Sequence, residues 1–183
     1  MQKQILIVIV FLFLSLGLFY AIKVFVPKPE NNINFNNMKI ISSVFEDGNF
    51  LPAKYTCDGQ NINPPLEFVD VPADTKSLAL LIDDPDAPGG DWIHWLVWNI
   101  NPQINKIEEG VLPVGSVEGQ TSFGENKYGG PCPPSGVHNY VFKVYALEMV
   151  FGDLSQNTDK QKFLKLIENH VVGFAKLTGK YSR

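Results

Sequence analysis

The sequence predicts a mainly β domain of two antiparallel sheets packed face to face, with a peripheral helix, preceded by an N-terminal transmembrane helix. Three observations carry this. From Met38 onward, short runs rich in β-branched and aromatic residues alternate with clusters of Gly, Pro, Asn and Asp. Only one late stretch spaces its apolar residues as a helix does. The first 28 residues differ in composition from everything that follows.

Between Ile5 and Ile22 the chain (ILIVIVFLFLSLGLFYAI) carries no charge. At 1.5 Å per residue it reaches about 27 Å, close to the roughly 30 Å of a bilayer's hydrocarbon core. Val24, Phe25 and Val26 extend it past Lys23, whose long side chain can snorkel. A cleaved signal peptide has a shorter apolar stretch followed by small residues, and here Ser15 and Gly17 lie inside the run. Residues 1–26 are therefore expected to anchor the protein, with cleavage as an export signal the alternative. Lysines on both sides of the run leave orientation open. A short anchor before a single domain usually exports that domain, so the expected location is the cell membrane, single-pass, with the domain extracytoplasmic. Residues 27–37 (PKPENNINFNN) combine two prolines with five asparagines and read as a solvated linker.

Residues 38–183 form the domain. Candidate strands span 38–45, 52–56, 66–70, 77–83, 94–100, 115–122 and 138–148. Leu78-Ala79-Leu80-Leu81-Ile82 and Trp95-Leu96-Val97-Trp98 are apolar on both faces, so they are expected to be central strands covered above and below. Phe163, Leu164, Ile167 and Val171 follow Thr158-Asp159, which predicts a capped helix over about 159–170. Gly173 is expected to separate it from a last strand, 174–181.

Composition excludes several function classes. Of 183 residues, 15 are basic and 19 acidic, and three of the basic ones fall in the acid-free first 28. The domain is thus acidic, and its single arginine is Arg183. No arginine cluster exists to fork onto phosphates or read guanine edges, so no nucleic-acid partner is expected. Two cysteines cannot build a four-thiolate zinc site, and they allow one bridge at most.

Three segments carry candidate chemistry. In Asp83-Asp84-Pro85-Asp86-Ala87-Pro88 two prolines fix the backbone as it leaves a buried strand, holding Asp84 and Asp86 near the mouth of the core. Taken alone, such a segment is more often a surface turn whose aspartates bond their own backbone. His94 opens an aromatic strand, where a single histidine is more often a satisfied core residue. In GGPCPPSGVHNY, Gly129 to Tyr140, a Gly/Pro loop delivers a strand starting at His138. Alternation places His138 and Tyr140 on one face, about 6–7 Å apart. For Tyr140 alone, a core tyrosine is the plain alternative.

In order and spacing, DPDAP, the histidine in an aromatic strand and GPCPPSGVHNYVFKVYAL resemble the phosphatidylethanolamine-binding protein family, in its bacterial and archaeal Raf-kinase-inhibitor-like branch. The likeness covers about residues 38–183, including KYTCDGQNINPPLEF and the terminal GKYSR. It implies a small anion pocket made by Asp84, Asp86, His94, His138 and Tyr140, with Pro88 and Pro131 as rigid walls. The ligand it implies is phosphate, phosphoethanolamine or another small anionic or zwitterionic headgroup, bound without a cofactor. Some members inhibit kinases or serine proteases by protein contact, which is the alternative function and the possible protein partner here. The resemblance also brings Cys57 and Cys132 close together, and export would let a disulfide between them persist. Departures are Asn139 where relatives often carry arginine, and Thr121-Ser122 before Phe123-Gly124. Eukaryotic members continue into a helix over the pocket, whereas this sequence stops at Arg183, which predicts a more open site.

Two competing chemistries weigh less. Two His and two Asp are competent metal ligands but lack a close His-x-His or His-x-x-x-His pairing, so no metal is expected. A cysteine hydrolase could use Cys132, His138 and Asp84 as nucleophile, base and orienter. Pro131 and Pro133 flank Cys132 and remove a nearby oxyanion donor, so the protein is not expected to be an enzyme.

Overall fold

The structure, a computed structural model, describes residues 37–183. The expected anchor, and the linker up to Asn36, lie outside the described residues. Among the described residues no helix is long and apolar enough to cross a membrane.

The domain has three layers. The large sheet has the strand order β6-β4-β3-β7-β8. Its strands are β3 (Ser77–Asp84), β4 (Trp92–Ile100), β6 (Val117–Glu118), β7 (Val137–Leu147) and β8 (Val171–Ser182). The small sheet joins β1 (Lys39–Ile41), β2 (Leu66–Val69) and β5 (Lys106–Ile107) in the order β1-β2-β5. Every strand pairing in both sheets is antiparallel.

Burial on both faces explains the uninterrupted apolar runs. All eight residues of β3 are buried. Leu78, Leu80 and Ile82 point to the small sheet and join Ile40, Leu66, Phe68 and Ile107 in one core. Ala79, Leu81, Leu96 and Trp98 point the other way and pack under Phe163 and Ile167 of α1 (Lys160–Ile167). The helix begins at its predicted cap, where Asp159 Oδ1 accepts the Lys162 N–H at 2.8 Å. Its i, i+4 pair Phe163 and Ile167 is the face that reaches the sheet, with the Phe163 ring stacked 5.9 Å from Trp98.

Several expectations are corrected. Residues 52–56 are not a strand: Ala53–Tyr55 is a 3-10 turn, with Thr56 N–H and Oγ1 both donating to Ala53 O at 3.1 and 2.9 Å. Leu51 and Tyr55, four apart, are the buried apolar residues there, a helical spacing, and Thr56 is buried beside them. The strand expected over 115–122 shrinks to Val117–Glu118, and Lys106–Ile107 was not anticipated as a strand. The helix stops at Ile167, three residues short of the expected end. Gly173 lies inside β8 and does not separate it from the helix. Its missing side chain is a packing requirement, since a Cβ there would come within 2.8 Å of Pro72 Cγ and 3.1 Å of Met38 Sδ.

Two stability measurements check this packing. Phe163→Ala empties the main contact between helix and sheet and is expected to cost about 3–5 kcal/mol in denaturant unfolding. Gly173→Ala is expected to cost about 1–3 kcal/mol by overpacking against a rigid proline ring, although alanine has the better intrinsic strand propensity. Neutral values would show that these contacts do not hold the layers together.

Candidate functional site

At the end of the large sheet where β3 stops and β4 and β7 begin, the chain gathers a group of polar side chains. Alternation sorts the two aspartates that close β3. Asp83 follows Ala79 and Leu81 to the helix side, where it is fully buried and takes Lys143 Nζ at 2.6 Å and Lys160 Nζ at 2.7 Å. Lys160 is also paired with Asp91. Asp84 follows Leu80 and Ile82 to the opposite side.

There Asp84 is doubly engaged. Its Oδ1 accepts the Asp86 N–H at 2.9 Å, and its Oδ2 lies 2.7 Å from His138 Nδ1. The first bond is the local Asx-type turn weighed from sequence, and the second is a long-range contact that the turn makes possible. Asp84 and His138 are 3% and 7% exposed, so this pair is screened little by solvent. The carboxylate fixes the His138 proton on Nδ1.

His94 reaches the same side through an irregularity. Ile82 pairs with Trp95 but Asp83 pairs with Ile93, so His94 is the extra residue of a β-bulge. Ile93 packs in the helix-side core and Trp95 in the small-sheet core, although regular alternation would give them one face. The bulge therefore turns His94 toward Tyr140, with ring centroids 5.1 Å apart and edge to face. His94 Nδ1 faces the Gly129 carbonyl at 2.6 Å, which fixes its proton there as well. Burial, opposed by that carbonyl and by Asp84, pulls the His94 pKa below the ordinary histidine value. Nε2 of neither histidine has a hydrogen-bond partner among the described residues.

Tyr140 projects from β7 on the same face as His138, stacked 6.5 Å from it, and is fully buried. Its hydroxyl has no hydrogen-bond partner among the described residues. Burial first, then the nearby Asp84 carboxylate, pushes its ionisation far above the usual phenol range.

A cavity of about 350 Å³ opens over this group, lined by Asp84, His94 and His138. Pro88, Pro134 and Cys132 wall it, and Trp92 and Phe123, 5.5 Å apart edge to face, stand at its rim. Three sequence candidates do not line it, and of these Tyr140 lies fully buried against the two histidine rings. Asp86 is exposed and held by Asn139, whose backbone N–H and side-chain amide both donate to its Oδ2, at 2.8 and 2.7 Å. Those two bonds hold the Asp86 carboxyl below its ordinary range. Pro131 is buried behind the loop, with its carbonyl accepting the Cys57 N–H at 3.1 Å. Sequence reasoning missed Trp92, Phe123, Pro134 and the Gly129 carbonyl. Trp92, which opens the aromatic run Trp92-Ile93-His94-Trp95, was a usable signal, whereas nothing local marks Phe123 in its polar loop or a backbone carbonyl. Cys57 and Cys132 are joined in a disulfide with Cα atoms 5.4 Å apart.

Comparison with known proteins fits this arrangement. The model of the phosphatidylethanolamine-binding protein family matches residues 41–182. A UPF0098 protein of Methanothermobacter thermautotrophicus is 48% identical over 151 residues, covering 80% of this chain and 99% of its own. Another, from Pyrococcus horikoshii, is 43% identical over 78% of this chain and 76% of its own length. Among solved structures, CT736 of Chlamydia trachomatis, described as a phosphatidylethanolamine-binding protein homologue, superposes with a TM-score of 0.77 at 39% identity, over 81% of this chain and 99% of that one. Escherichia coli YbcL, described as a member of the mammalian family, gives 0.75 at 31% identity, over 80% and 98%. A family match across nearly the whole described domain, with relatives aligned along most of their length on the same fold, makes this chain a member of the phosphatidylethanolamine-binding protein family.

Proposed function

We propose that the protein is a binding protein that captures phosphate-type anions, free or as phospholipid headgroups, between His94 and His138. The observation that carries this is the pair of histidines that share one cavity, each with Nδ1 committed to an acceptor and Nε2 without a partner. A neutral ring of that tautomer offers Nε2 as an acceptor, and only the protonated ring donates from both nitrogens. Among the described residues no lysine or arginine lines the cavity, so an anion there must bring protons with it. Asp84 does not repel the ligand strongly, because its oxygens are occupied by His138 and the Asp86 N–H. An ammonium group on a zwitterionic headgroup would find the Trp92 and Phe123 rings at the rim. Residues 1–26 would hold this domain at the membrane on its extracytoplasmic side, within reach of headgroups.

One feature of the same residues favours binding without turnover. Cys132, the candidate nucleophile, is tied in the disulfide and offers no thiolate to His138. A second reading, inhibition of a protease or kinase by contact, draws on a different feature. Val111, Leu112 and Val114 are exposed, Val114 at 92%, on a loop braced by Ser116 Oγ donating to Pro113 O at 2.6 Å. Val114→Asp is expected to abolish capture of such a partner and leave anion binding unchanged.

Anion binding is expected to tighten as pH falls from 8 to 6, with proton uptake seen by calorimetry in buffers of different ionisation enthalpy. Sulfate, which does not titrate there, should follow phosphate. His138→Ala should weaken both about tenfold to a hundredfold, the loss of a charge-assisted hydrogen bond of about 1.5–3 kcal/mol. A pH-independent affinity, or wild-type binding by His138→Ala, would remove the histidines from this role.

Stability gives a second check on His94. Its folded pKa lies below the unfolded value of about 6.5, so below that pH the unfolded chain takes up a proton that the folded one refuses. The stabilisation present above about pH 6.5 is therefore lost as pH falls toward the folded value. In melting curves, His94→Gln should flatten this acid limb, and added phosphate should reduce it in the wild type.

A further inference from the structure

The two sulfurs of the Cys57–Cys132 bridge occupy unequal surroundings. Cys132 is exposed and Cys57 half-buried. Both cysteines line a cavity of about 320 Å³ that reaches Asn61 and Lys127, but Cys132 alone of the two also lines the histidine cavity. Beside it stands the chain's single arginine, with Arg183 Nη1 3.7 Å from Cys132 Sγ. Asp58 holds that guanidinium at 3.2 Å and is itself fixed by the Tyr181 hydroxyl, which donates to its other oxygen at 2.8 Å. A cation is thus placed at the accessible sulfur, where it favours an arriving or departing thiolate.

The bridge also ends a strap that positions His94. Gly129 gives its carbonyl to His94 Nδ1 and its N–H to the His94 carbonyl, at 2.6 and 2.9 Å. Next in line, the Gly130 N–H donates to Asn61 Oδ1 at 2.6 Å. Pro131 then accepts the Cys57 N–H, and Cys132 closes the bridge. A Cβ on Gly130 would come within 2.7 Å of Tyr55 O and Asn61 Oδ1, so no side chain anchors the strap there. Backbone bonds, the Asn61 side chain and the bridge hold it in place.

From this we infer that Cys132 is a thiol-exchange site for an external dithiol, and that opening the bridge there releases the strap and weakens anion capture at His94. The second half rests on the anion-binding reading, and the first does not. One thiolate of the dithiol attacks Cys132 Sγ, the bond to Cys57 Sγ breaks, and the electron pair leaves on Cys57, which takes up a proton. The reagent's second thiolate attacks the mixed disulfide and releases Cys132 beside Arg183. Two electrons pass to the protein, the dithiol becomes a disulfide, and its two protons end on the protein thiols.

Full-length protein in detergent, treated with glutathione, acid-quenched and mapped by mass spectrometry, is expected to carry the adduct on Cys132 with Cys57 free. Arg183→Gln should slow the exchange about fivefold, the effect of one unit charge at about 4 Å in water, and salt should erase most of that difference. In dithiothreitol, or in the Cys57→Ser/Cys132→Ser variant, amide exchange at Gly129 and Gly130 should accelerate while β3 and β7 stay protected, and phosphate affinity should fall about tenfold. Adducts on Cys57, an unchanged Arg183→Gln rate, or strap exchange indifferent to reduction would overturn the inference. So would loss of strand protection, which would make the bridge a structural staple. If the oxidised protein binds no phosphate while the adduct and exchange results hold, the anion reading fails and the exchange site stands.

Discussion

Burial of the large sheet on both faces leaves the chain few places for its polar groups. A helix covers one side of β3 and β4 and a second sheet covers the other, so a charge in mid-strand would be stranded in apolar surroundings. Polar side chains are driven to the strand ends, where the layers part. At the end of β3 two adjacent aspartates divide by alternation. Asp83 is neutralised by Lys143 and Lys160 and ties β7 and the start of the helix to the sheet. Asp84, one residue on, has only a histidine and a backbone N–H to satisfy it, and so stands at the cavity. The same strand end therefore supplies a structural ion pair on one face and a candidate binding group on the other.

The cavity's electrostatics follow from what that division withholds. Both lysines of the cluster are spent on Asp83, and Asn139 occupies Asp86 with two hydrogen bonds. What remains is titratable rather than permanently charged. A site built on imidazoles has an affinity set by pH, whereas one built on arginines would hold anions at any physiological pH. Burial lowers the His94 pKa and so works against the charged ring, which the Gly129 carbonyl and Asp84 only partly offset.

Much of this was legible in the sequence, for identifiable reasons. The central strands could be read because two-sided burial writes itself as uninterrupted apolar runs. The shared face of His138 and Tyr140 followed from the two-residue period of a strand. The helix announced itself by a cap and an i, i+4 pair. The bulge at His94 could not be read, since it arises from pairing with a strand distant in the chain and leaves Trp-Ile-His-Trp looking like regular alternation. The 3-10 turn at Ala53–Tyr55 was misread because five residues fit either period. β5 and β6 are two residues each, too short for any periodic signal, and tertiary pairing alone defines them.

His94 shows why the loop residues matter as much as the side chains. A neutral histidine whose Nδ1 lacked an acceptor could place its proton on either nitrogen, and its Nε2 would then donate in one tautomer and accept in the other whatever the pH. The Gly129 carbonyl removes that freedom, as Asp84 does for His138. One orienting group is a side chain carried on a rigid strand end, but the other is a backbone atom on a loop rich in Gly and Pro, and such a loop needs its own fixing. The disulfide, the Asn61 side chain and the Cys57–Pro131 backbone bond supply it. The Gly/Pro character of residues 129–136 is thus a compromise: glycine lets the backbone come within reach of a buried imidazole, and the chain must then constrain elsewhere the segment it has left without side-chain anchors.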